Sequence, residues 1–117
     1  MKKILTAAFC AAMASPALAQ GWPTGYEGVM LQGFYWDSYS DSQWKNLEKQ
    51  APELGSYFSL LWVPQSGKCL EEHNVMGYTP YYYFDQNSSF GSEAELRSMI
   101  RAMRQNGVSV PADVGGN

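Results

Sequence analysis

Two kinds of side chain in this sequence could do chemistry: carboxylates and aromatic rings. Among the acids, Glu71 and Glu72 are adjacent, and Asp37, Asp85 and Asp113 lie on separate segments. Acid–base work by a carboxylate pair needs the two groups held on either side of the bond that breaks. Nothing in the spacing brings two of these acids together, and a solvated surface is the usual place for such groups. No catalytic residue is therefore assigned in this chain. The rings are more informative. In "MGYTPYYYFD", Tyr78 follows Gly77 and can offer a flat face to the C–H groups of a sugar ring while its hydroxyl stays hydrated. Tyr81, Tyr82 and Tyr83 cannot all face one ligand, because neighbouring side chains alternate in direction, and they are expected to pack against the scaffold.

Other chemistries lack their residues. No glycine-rich phosphate loop of the form G-x-G-x-x-G or G-x-x-x-x-G-K-[ST] is present. One histidine, His73, and one cysteine beyond the first nineteen residues, Cys69, do not make a zinc set or a thiol–base pair. Cys69 reads as a loop thiol and leaves no cysteine for a disulfide within the exported chain. The triplet at Asn87 to Ser89 fits the N-glycosylation pattern, which is too common to interpret alone.

The scaffold that must position Tyr78 can be followed along the chain. Residues 1–19 carry Lys2 and Lys3, an apolar run and an A-x-A pattern at Ala17 to Ala19, the marks of a secretory signal. The run is shorter than the roughly 20 residues a membrane span requires. Export to the periplasm or beyond the cell is expected, with no membrane attachment afterwards. The remaining chain has six Lys and Arg against eleven Asp and Glu, a net charge of −5, which offers no footprint for nucleic acid.

Residues 29–34 read as a strand covered on both faces. Trp44, Leu47, Ala51 and Leu54 then recur at helical spacing, with Asp41 or Ser42 placed to cap the helix and Pro52 expected to kink or restart it. Residues 58–63 form a second apolar strand, stopped by Pro64. A long irregular stretch, 65–91, follows and is a candidate functional loop. Ser92 and Glu95 make a capping box for a helix that buries Leu96, Met99, Ile100 and Met103 and ends near Gly107. "VSVPADV" begins a third strand. Strand, helix, strand, helix, strand is the order of a parallel α/β fold, either an open sheet or a barrel. Such folds carry chemistry at the carboxyl ends of their strands, which here hold Trp36 and Asp37, Gln65 and Ser66, and residues 113–117.

At this point the sequence resembles the α-amylase family of glycoside hydrolases. "GVMLQGFYWDSY", "LLWVPQS", "MGYTPYYYFDQ", "FGSEAELRSMIRAMRQNGV" and "ADVGGN" match it in order and spacing over nearly all of residues 20–117. The resemblance implies the N-terminal portion of a (β/α)8 barrel, comprising the first two strand–helix units and the start of the third strand. It implies hydrolysis of α-1,4-glucan, starch or glycogen, with retention, by two carboxyl groups about 5–5.5 Å apart that lie on later strands. Tyr78 would then stack on the sugar, with Trp36 beside it as a further substrate-binding ring. Asp113 would support the floor of the site, and Asn117 would offer a carbonyl oxygen to Ca²⁺. A completed barrel would be monomeric.

The chain departs from the family pattern in three places. Gly115 and Gly116 stand where bulky apolar residues are usual, Pro111 stands where a strand amide should donate, and the His expected after Asn117 is missing. A truncated, frameshifted or relic barrel, inactive by itself, is the resulting expectation. The alternative is a non-catalytic carbohydrate-binding protein that uses Tyr78 and Trp36 without chemistry.

Overall fold

The computed structural model describes residues 25–70 and 76–113. The signal segment, Glu71, Glu72, His73 and Asn117 lie outside these residues. The described elements are β1 (Met30–Gln32), α1 (Trp44–Leu54), β2 (Leu60–Trp62), β3 (Lys68–Cys69), β4 (Pro80–Tyr82) and α2 (Glu93–Gln105).

The α/β expectation is met. β1 and β2 pair in parallel, with Met30 opposite Leu60 and Gln32 opposite Trp62, and α1 makes the crossover between them. Residues 109–113 pair in parallel on the other flank of β2, through Leu60 with Ser109 and Val63 with Ala112. Four backbone bonds hold that flank. Ser109 donates to the Ser59 carbonyl and Leu61 to the Ser109 carbonyl, both at 2.9 Å; Val63 donates to the Pro111 carbonyl at 3.1 Å and Asp113 to the Val63 carbonyl at 2.9 Å. The rhythm of a parallel ladder would have residue 111 donate to the Leu61 carbonyl. Proline has no N–H, so that rung cannot form and the pairing reduces to isolated bridges. The described residues close no barrel.

The core lies between the sheet and the two helices. Trp44, Ala51, Phe90, Met99 and Met103 are fully buried, joined by Leu61, Val63 and Val108 from the sheet side. Trp44 and Phe90 meet at 5.3 Å between ring centroids, and the Trp44 amide donates to the Phe90 carbonyl at 2.9 Å. α2 begins as its sequence dictates. The Glu95 amide donates to Ser92 Oγ at 3.2 Å, and the Ser92 amide donates back to Glu95 Oε2 at 3.0 Å. The helix closes at Asn106, and Gly107 leaves it with φ of 78°, a backbone that favours glycine.

Several expectations are corrected. β1 is covered on one face only: Leu31 packs against the core, while Met30 and Gln32, which point the other way, are exposed. Neither Asp41 nor Ser42 caps α1. Gln43 occupies that position without a side-chain cap, since the Asp41 carboxylate accepts from the Tyr35 hydroxyl and the Ser42 hydroxyl bonds Ser38 and the Gly33 carbonyl. Pro52 lies inside an uninterrupted α1. Near the end of the helix it removes only one backbone donor, and the chain turns out at Gly55. Within 65–91, β3 and β4 form an antiparallel pair with a register shift between Lys68 and Cys69, which no clear alternation announces. Tyr81, Tyr82 and Tyr83 do not pack against the scaffold; they and Phe84 are exposed on this hairpin.

Glu95 also pairs with Lys45 Nζ at 2.9 Å, bracing α1 against α2. The lysine hydrogen bond, then the Ser92 amide, hold the Glu95 carboxyl below the ordinary glutamate range. A depressed carboxyl contributes stability that is present above the unfolded value and is lost as pH falls through the folded one. Ser92→Ala should lower stability by about 1 kcal/mol at neutral pH. In urea titrations of the full chain, Glu95→Gln should flatten the part of the acid-side decline that the wild type shows from just below the usual glutamate pKa downwards.

Candidate functional site

β1, β2 and the 109–113 segment run parallel, so their carboxyl ends lie at the same end of the sheet. Trp36 emerges after β1 in a turn from Tyr35 to Ser38, whose amide donates to the Tyr35 carbonyl at 3.1 Å. The same turn is closed a second time, because the Tyr35 amide donates to Ser38 Oγ at 2.9 Å. Ser38 and Ser42 are both about 1% exposed, and their hydroxyl oxygens lie 2.7 Å apart. Ser42 donates its one proton to the Gly33 carbonyl at 3.1 Å, which leaves Ser38 as the donor between the two hydroxyls. The bonds therefore run as one chain from the Tyr35 amide through both hydroxyls to the Gly33 carbonyl.

Tyr78 comes from the loop before β4. Gly77, buried beside it, has φ of 77°. A side chain there would be strained by that backbone, and its Cβ would press on Gln65 at 3.3 Å from Nε2 and 3.4 Å from the carbonyl oxygen. Gln65, just past β2, closes its own loop. Its Oε1 accepts from the Gly67 amide at 2.6 Å and its Nε2 donates to the Gly67 carbonyl at 2.7 Å. The neighbouring Ser66 donates its hydroxyl to Gln86 Oε1. Gln65 thus stiffens the loop after β2 and lies beside the glycine that precedes Tyr78, where its position in the sequence suggested only a polar strand end.

These two loops bring Trp36 and Tyr78 together. Their ring centroids are 5.9 Å apart with planes 27° from parallel. A sugar held between two ring faces would need about 7 Å, twice the optimal carbon–carbon separation. The pair is therefore not a pair of jaws around a sugar; the two rings stack on one another and each keeps part of its surface exposed. Trp36 is 82% exposed and Tyr78 48% exposed.

Asp113 is half-buried and anchored through its amide to Val63 on β2, rather than to the ring pair. Asn117 lies outside the described residues. Among the described residues no three His, Cys, Asp or Glu side chains come together. The acids that do have partners are committed elsewhere. Asp41 accepts from Tyr35, whose hydroxyl is pushed above the ordinary tyrosine range first by that bond and then by the Asp41 charge. Asp85 is held below its usual range, chiefly by the amide and side chain of Asn87, and pairs with Lys68 at 3.6 Å. Cys69 Sγ receives a long contact of 3.7 Å from Gln65 Nε2.

Fold and site define a parallel α/β protein that carries an aromatic surface at the carboxyl ends of its strands. Over 87 aligned residues the chain is 34% identical to "Probable alpha-amylase 2" of Arabidopsis thaliana, covering 74% of this chain and 20% of that protein. It is 31% identical over 98 residues to alpha-amylase 3, chloroplastic, from the same plant, covering 82% of this chain and 11% of the relative. All of this chain aligns, at 30% identity, with 25% of the glucan 1,4-alpha-maltotetraohydrolase of Stutzerimonas stutzeri. No family model matches the chain. These similarities place the chain in the α-amylase family of glycoside hydrolases. It spans about a fifth of the length of the first of these relatives.

Gly77→Ala should destabilise the full chain by about 1–2 kcal/mol, the scale of a non-glycine residue forced into left-handed backbone. It should also weaken the near-ultraviolet circular dichroism of the Trp36–Tyr78 pair.

Proposed function

We propose that the chain is the opening part of the catalytic (β/α)8 barrel of an exported glycosidase that hydrolyses α-1,4-glucans with retention, and that Trp36 and Tyr78 form its sugar-facing surface here. The observation that carries the reading is the stacked ring pair at the carboxyl end of parallel strands, in a chain of this family. An exposed indole against a phenol is costly to leave in water and suits the C–H face of a pyranose.

The same reading makes Asp113 a support for the site floor and assigns Asn117 to a Ca²⁺ ion bound with residues beyond those described. When bound, that ion would brace loops through oxygen ligands. The hydrolytic step itself requires a nucleophile and an acid/base, which this reading places on later strands of the barrel. This chain's own contribution is to bind and orient the glucan. Export rests on the N-terminal signal pattern; no helix among the described residues is long and apolar enough to cross a membrane.

Calorimetric titration of the full chain with maltoheptaose tests the binding role. Trp36→Ala and Tyr78→Ala should each weaken association by about tenfold, the scale of a lost ring contact. Unchanged affinity in both would reject the assignment. A reducing-sugar assay on soluble starch should show no turnover by this chain above a buffer control. Turnover would show that the chain holds its own carboxyl pair, whereas a soluble, cooperatively folded chain that is retained on starch without turnover would favour a dedicated carbohydrate-binding protein.

A further inference from the structure

We infer that Ser38 is a positioning residue for Trp36, acting through the relay of two buried hydroxyls that closes the turn beneath the indole. The inference rests on the proposed glucan-facing role of Trp36 and extends it to residues that touch no sugar.

Trp36 is 82% exposed, so beyond its stacking on Tyr78 little packing fixes its ring, and its direction depends chiefly on the backbone that carries it. That backbone is the centre of the turn from Tyr35 to Ser38. Ser38 closes it twice, with its amide on the Tyr35 carbonyl and its hydroxyl beneath the Tyr35 amide. Ser42 then ties Ser38 to the Gly33 carbonyl, just after β1, so the turn is held relative to the strand as well as to itself.

Burial makes this arrangement specific. Two hydroxyls at 1% exposure are unfavourable unless each has partners, and here every donor in the relay meets an acceptor. Alanine would occupy similar space. What it would not supply is the acceptor for Tyr35 or the donor for Ser42, and the turn would gain freedom directly under the indole. Tyr39, Asp41 and Gln43 do not replace this brace, since Asp41 holds the Tyr35 hydroxyl and Gln43 bonds the carbonyls of Tyr39 and Ser89.

The test is a double-mutant cycle in the full chain with Ser38→Ala, Trp36→Ala and their combination, read by maltoheptaose calorimetry and near-ultraviolet circular dichroism. Ser38→Ala should weaken binding about three- to tenfold, the scale of one net hydrogen bond, and should diminish the ring-pair band that Trp36→Ala abolishes. In the Trp36→Ala background the serine substitution should have no further effect on binding. An equal loss in both backgrounds would overturn the inference, since the hydroxyl would then act on the fold at large. If Trp36→Ala leaves affinity unchanged, the sugar-facing role fails separately, and the dichroism decides: an intact band in Ser38→Ala overturns the positioning role and a diminished band supports it. Should Ser38→Ala not fold, the same cycle with Ser42→Ala is expected to show the same dependence on Trp36, and independence overturns the inference.

Discussion

The backbone of residues 59–63 is hydrogen-bonded on both flanks, and the remaining elements are arranged around it. On one side β1 pairs in register; on the other, Ser109 and Asp113 bond directly to Ser59 and Val63. Because both pairings are parallel, the loops that follow must leave at one end. That constraint is why Trp36, Gln65 and Asp113, far apart in sequence, come to share a rim. The helices add cover and direction: Trp44 and Phe90 join the start of α1 to the approach of α2, while Lys45 and Glu95 join their surfaces.

At the rim, polarity and aromaticity divide the work. Small polar groups fix backbone, as Ser38, Ser42 and Gln65 show, and they do so from sheltered positions where water competes poorly for their bonds. The rings are left outside. Trp36 and Tyr78 cover one another in part, which limits the area they expose to water and leaves the rest of each ring open. The hairpin presents a different surface, in which Tyr81 to Phe84 are exposed without a second layer among the described residues.

Much of the fold was legible because its signals are local. The capping box at Ser92 needs only three residues of spacing, and the buried face of α2 follows from helical periodicity. The short strand pairing of Lys68–Cys69 with Pro80–Tyr82 was not legible, since its partners are separated by a loop and its register is irregular. The capping of α1 misled for a different reason. Asp41 and Ser42 are good capping types, but tertiary partners engage both side chains, and a sequence window cannot see the Gly33 carbonyl or the Tyr35 hydroxyl arriving. The site was half visible: the types of Trp36 and Tyr78 suggested a ring surface, while their mutual stacking and the buried serine relay depend on folding.

Pro111 gives the sheet an uneven seam. With no amide at that residue, the attachment of the 109–113 segment divides into a part held by Ser59 and Leu61 and a part held through Val63 alone. Asp113 belongs wholly to the second part, beyond the missing rung. A zipper with an absent tooth transmits little tension across the gap. The location of this carboxylate is thereby referred to one residue of β2, and the anchoring of Ser109 can persist whatever happens at the rim.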